Sequence, residues 1–171
     1  MSDDRLVVLA LGANLGDCAA TLRSAAQELA NTPGLQLVSA SGIYESAAVG
    51  GPDGQPPYLN AVVVLRSSLS ARAILGVGLA VEAAHGRVRA ERWGPRTLDV
   101  DLIAVGDETS ADPELVLPHP RAHERGFVLV PWLDADPEAE FPGRGRVADL
   151  VVPGLASAVT LRRDLALVGS G

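Results

Sequence analysis

The chain has 171 residues, a formal net charge of -7, and 47% apolar residues of which few are aromatic. That length suits one domain, residues 1–171, with a core of Ala, Val and Leu, and the negative charge excludes a general attraction for nucleic acid or anionic membrane. All fourteen basic residues are Arg and Cys18 is the single cysteine, which excludes a Walker-type lysine, Schiff-base chemistry, an intrachain disulfide and a cysteine metal cluster.

The opening "MSDD" is acidic where a signal peptide is basic, and "LVVLAL" is too short to span a membrane. Both fit a cytoplasmic protein. Residues 5–11 predict a strand ending at Gly12, and "GANLGD" a tight polar turn. Residues 18–31 predict a helix, with Ala19, Leu22, Ala26 and Leu29 at helical spacing, stopped by "TPG" at 32–34. Residues 35–44 predict a second strand that runs into the Gly/Pro-rich "AVGGPDGQPP" at 48–57. "YLNAVVVLRS", residues 58–67, has the β-branched density of a central strand. A second helix over 70–84 and a fourth strand, "TLDVDLIAVG" at 97–106, follow.

The order β-α-β-β-α-β predicts an α/β (α+β) ferredoxin-like fold: an antiparallel sheet with both helices on one face and the other face left open. Short C-terminal elements come after it: a rigid "LPHP" turn, a short helix within "RAHERGFVLVPWL", and the apolar "RVADLVVPGL".

The fourth strand carries an oddity. Residues i and i+2 of a strand share a face, so Asp99 and Asp101 stand together while Leu98, Val100 and Leu102 face the core. Two ordinary acids on a wet strand would look the same. Like charges on a rigid element repel, however, unless a proton or cation is supplied. Arg87, Arg89, Arg92 and Arg96 lie just upstream. Carboxylates for a hard cation beside guanidiniums for leftover negative charge suit a magnesium–polyphosphate complex.

"RWGPRTLDVDLI" at 92–103 closely resembles the signature of the 6-hydroxymethyl-7,8-dihydropterin pyrophosphokinases, a family of folate synthesis. The resemblance extends through "LALGANLGD" at 9–17, "YES" at 44–46, "QPPYLNAV" at 55–62, "GRVR" at 86–89 and "LPHPRAHERGF" at 117–127. It implies transfer of pyrophosphate from ATP to the pterin hydroxymethyl group by direct attack on the β-phosphorus, releasing AMP. It implies two magnesium ions held by Asp99 and Asp101, one of which either orients or deprotonates the hydroxyl. Arg87 and Arg96 are implied as catalytic arginines in a loop that closes over the triphosphate, with Arg89 and Trp93 meeting ATP from the same loop. Glu82, Leu102, His119 and Arg125 are implied on the ATP side, His119 as a phosphate contact and not a base.

Ser46, Val49, Tyr58, Asn60 and Phe127 are implied around the pterin, Phe127 as a stacking wall and Asn60 at the polar edge. His85 and His123 acquire no role and read as surface residues. The resemblance also implies a monomer.

The chain departs from relatives in having Ser46, Ala47 and Ala48 where Thr-Pro-Pro is common. It also has Glu114 and Val116 where some relatives place Arg and Thr, and Pro120 where an aromatic sometimes stands. Two rival readings are a magnesium-dependent phosphohydrolase or nuclease and a non-catalytic ligand-binding module. The charge argues against a nuclease, and a sensor gives no reason for two aspartates beside four arginines.

Overall fold

The computed structural model describes residues 4–14, 17–47, 57–85 and 98–167. Strand β1 (Arg5–Ala13) leads to helix α1 (Cys18–Ala30). Asp17 caps that helix, its Oδ1 accepting from the Ala20 N–H at 3.1 Å. Strands β2 (Gln36–Ala40) and β3 (Tyr44–Ser46) come next, then the long strand β4 (Tyr58–Ser67) and helix α2 (Ala71–Ala84), capped by Ser70. Strand β5 (Asp99–Val105) follows, which gives the β-α-β-β-α-β order when β2 and β3 are counted as one interrupted strand.

The sheet is antiparallel and the strand over 58–67 is central, as the sequence predicts; β1 lies beside β4, with β5 on the far side of β1. The second predicted strand is split. β2 and β3 pair with successive stretches of the same edge of β4 and are broken at residues 41–43. The break has a chemical cause. The Ser41 hydroxyl accepts the Val62 N–H at 2.9 Å, a bond the ladder would otherwise give to a carbonyl.

Beyond β5 come the hairpin β6 (Ser110–Asp112) and β7 (Leu115–Leu117), a cis Leu117–Pro118 peptide, and a 3-10 turn over Ala122–Glu124. Helix α3 (Gly126–Ala135), the hairpin β8 (Glu140–Phe141) and β9 (Gly145–Arg146), one-turn helices α4 (Val147–Leu150) and α5 (Pro153–Ala156), and strand β10 (Val159–Leu161) follow. β10 pairs with β3 and so extends the main sheet to six strands.

Helices α1 and α2 cover one face of the sheet, burying Leu22, Leu29, Ile74 and Val81 against Leu9, Leu11, Val63 and Val100. The opposite face is not left open. Val8, Val62, Val64 and Ile103 pack there against Val128, Leu129 and Trp132 of α3, with Phe141 and Val147 behind. α3 approaches α5 so closely that a Cβ on Gly126 would lie 2.3 Å from the Leu155 carbonyl oxygen. Only glycine fits that position. Among the described residues no helix is long and apolar enough to cross a membrane.

Candidate active site

β5 is an edge strand, and its register sets Asp99 opposite Gly12 and Asp101 opposite Ala10 of β1. Both aspartates are half-buried, while Val100 between them turns into the core. The alternation read from "LDVDL" is therefore the alternation of the strand. The pair opens onto a cavity of about 480 Å³, lined also by Gly12, Ser46, Tyr58, Asn60, Arg121, Arg125 and Phe127.

The far wall of the cavity comes from β3 and β4, paired so that Ser46 faces Tyr58 and Tyr44 faces Asn60. Asn60 is only 4% exposed, and its Nδ2 donates to Ser46 Oγ at 2.8 Å. Its Oδ1 lies toward Gly12, where an added Cβ would come within 3.5 Å of it and 3.7 Å of the Tyr58 ring. The missing side chain of Gly12 keeps the cavity floor low. An amide acceptor and two aromatic rings, Tyr58 and Phe127, suit a flat heterocycle with N–H groups at its edge. The Arg125 guanidinium sits over the Phe127 ring, 5.5 Å from its centroid, and so fixes that ring's outer face.

His119 follows the cis proline. Its backbone N–H donates to the Ile103 carbonyl at 2.9 Å, which ties it to β5. Its Nδ1 accepts from the Arg121 N–H at 3.3 Å, leaving Nε2 to carry the proton of the neutral ring. Burial pushes the imidazole below its ordinary pKa. Asp101 pulls the other way, and the Arg125 and Arg121 charges add to the depression. At neutral pH His119 is an uncharged N–H donor beside the acid pair.

Two residues expected on the ATP side do not line the cavity with their side chains. Leu102 is 6% exposed and packs in the core with α2, so its side chain is no part of the cavity wall. Glu82 reads alone as a helix-surface residue, yet it is 8% exposed and its Oε2 accepts the Val100 N–H at 2.7 Å. It grips the main chain between the two aspartates. Val49, Arg87, Arg89, Trp93 and Arg96 lie outside the described residues, as does Arg92.

The two histidines without a role are half-buried and engaged rather than free on the surface. His85 is bonded to Glu28 of α1 through Nε2, and His123 packs edge-on against Phe141 with ring centroids 6.1 Å apart. Sequence reading missed Arg121 in the cavity. Its spacing of four from Arg125, across a short turn, was the available signal.

The donor set constrains any metal. Among the described residues no group of three or more His, Cys, Asp or Glu side chains converges to hold an ion. Two carboxylates alone suit a hard cation that completes its shell with phosphate oxygens and water, not a zinc ion held wholly by protein.

Residues 8–137 match the family model for 7,8-dihydro-6-hydroxymethylpterin-pyrophosphokinase. The chain is 44% identical over 135 residues to the 2-amino-4-hydroxy-6-hydroxymethyldihydropteridine pyrophosphokinase of Methylorubrum extorquens, covering 79% of this chain and 85% of that one. It is 44% identical over 149 residues to the protein of the same name from Mycobacterium tuberculosis, covering 81% and 77%. Among solved structures it is similar to a Plasmodium falciparum HPPK-DHPS variant with pteroate, with a TM-score of 0.70 at 13% identity over 94% of this chain and 47% of that one. The wild-type form of that protein gives 0.67 at 14% identity over 88% and 44%. The chain thus spans about half the length of those solved chains, and that likeness shows the shared fold. The chain belongs to the 7,8-dihydro-6-hydroxymethylpterin-pyrophosphokinase family.

Proposed function

We propose that the cavity between β5 and the β3–β4 wall is where pyrophosphate passes from ATP to the hydroxymethyl group of 6-hydroxymethyl-7,8-dihydropterin. The observation that carries this reading is the convergence on one cavity of an acid pair, two arginines, and an aromatic and amide wall. The bond from the hydroxymethyl oxygen to the β-phosphorus forms, and the bond from that phosphorus to the oxygen leading to the α-phosphate breaks. Its electron pair leaves with AMP, and the hydroxyl proton passes to solvent. The products are AMP and the pterin diphosphate.

Tyr58 and Phe127 hold the pterin ring flat, and Asn60 reads its polar edge. Together they fix the line of attack. Ser46 holds Asn60 in place. Asp99 and Asp101 would hold magnesium, in our reading two ions. When bound, that metal supplies charge neutralisation on the transferring phosphates. The aspartate nearer the hydroxyl also orients it. His119 donates Nε2–H to a phosphate oxygen, and Arg125 adds a full positive charge. Leu102 can meet the nucleotide only through its main chain on the edge of β5. Arg87, Arg89, Trp93 and Arg96 carry nucleotide-side roles that rest on their motif alone, as the pterin role of Val49 does. We also read the chain as a single-domain cytoplasmic monomer. The lone cysteine supports the compartment and the two cores sharing one sheet support the single domain, while the monomer rests on the family resemblance alone.

The test is product analysis. With ATP, magnesium and the reduced pterin, AMP should appear in step with pterin diphosphate and without free phosphate. Release of phosphate or ADP would instead identify a hydrolase or a simple kinase.

A further inference from the structure

Arg121 lines the cavity, yet none of the roles above uses it. Its backbone is held by His119, but among the described residues its guanidinium makes no hydrogen bond or ion pair. Arg5 lies on Glu108, Arg72 on Asp112, Arg146 on Glu138 and Arg162 on Glu45, but none of these lines the cavity. Arg121 and Arg125 flank the 3-10 turn and both reach the same cavity, but Arg125 is engaged over Phe127. Arg125 already serves the nucleotide phosphates in the reading above, so Arg121 is the one of the two whose planar fork has no assigned partner.

The reaction changes what that cavity must hold. The pterin enters as an uncharged ring and leaves carrying a diphosphate. Ser46, Tyr58, Asn60 and Phe127 discriminate poorly between the two, because they meet only the ring. A guanidinium at the wall meets the new anion with paired N–H donors.

We propose that Arg121 is a binding residue for the diphosphate once it is attached to the pterin, so that it sets product affinity and hence product release. This rests on the transfer reading above. Arg121 is exposed, so water and salt weaken the contact, and the effect belongs at the low end for a charge-assisted hydrogen bond.

The test uses the full chain as wild type, Arg121→Gln and Arg121→Lys. Each is titrated calorimetrically with the pterin diphosphate, and separately with 6-hydroxymethylpterin in the presence of magnesium and a non-hydrolysable ATP analogue. Gln should weaken product binding about tenfold, and Lys should restore part of the loss. Binding of the uncharged pterin should change less than about twofold, and the salt dependence of product binding should flatten in the Gln variant. Unchanged product affinity, or equal losses for product and uncharged pterin, overturns the assignment. A wild-type chain that makes no pterin diphosphate from ATP overturns the transfer reading instead, and this proposal with it.

Discussion

The two walls of the cavity handle polarity in opposite ways. On the β3–β4 wall, Asn60 is buried and donates to Ser46, so its amide is already oriented before any ligand arrives. On the opposite wall, Asp101 and Arg121 are more exposed, and among the described residues neither has a hydrogen-bonded or salt-bridged partner. A buried polar group must be satisfied from within, whereas an exposed charge can wait in water for its counterion. One wall is a preformed mould for a ring; the other is a set of charges that a metal and phosphates would neutralise.

The strongest way to break this contrast is Asp101→Ala. Turnover should fall by at least about a hundredfold with the melting temperature nearly unchanged, because the carboxylate serves the ligand and not the core. Steady-state kinetics beside a thermal melt checks both halves, and a large drop in stability would make Asp101 a structural residue. Gly126→Ala should do the reverse. Its Cβ meets the Leu155 carbonyl, so the cost is about 1–3 kcal/mol of stability or more, seen by urea unfolding. Because Gly126 lies between Arg125 and Phe127, both walls should lose affinity together.

Phe127→Ala sharpens the contrast on the ring side. Pterin binding should weaken about tenfold or more while binding of an ATP analogue changes little, as measured by calorimetry. Equal losses would make Phe127 a packing residue.

The smallest effect concerns the frame behind the mould. Asp134 of α3 accepts from the Tyr44 hydroxyl at 3.0 Å and from the Gly42 N–H at 2.9 Å, closing the break between β2 and β3. Burial, then the Asp134 bond and charge, push the Tyr44 hydroxyl up to about 12 from 10.0. The folded state therefore keeps a proton that the unfolded chain loses. The stability this provides is complete below pH 10 and is lost as pH rises toward 12. The melting temperature of wild type should fall more steeply across that window than that of Tyr44→Phe. Parallel curves would remove Asp134 from the account.

Much of this was legible beforehand. The alternation of "LDVDL" put both aspartates on one face of β5, and local periodicity is what a strand preserves. The β-α-β-β-α-β order likewise follows from short-range patterns. What stayed hidden depends on contacts between distant segments. Glu82 could not be placed without knowing that α2 lies against β5, where its carboxylate takes the Val100 N–H. The split at Ser41 needs a hydroxyl to replace a carbonyl in the ladder, and nothing in the residues 35–44 announces that substitution. The second core, built by α3 on the sheet face expected to be open, was missed because α3 is apolar nearly all round and shows no one-sided stripe.

A crystal structure with magnesium, a non-hydrolysable ATP analogue and 6-hydroxymethylpterin tests the central claim most directly. The account predicts the pterin ring against Phe127 and Asn60, the hydroxymethyl oxygen aimed at the β-phosphorus, and cations shared between Asp99, Asp101 and the phosphates. Phosphates bound away from β5, with no cation at either aspartate, would contradict it.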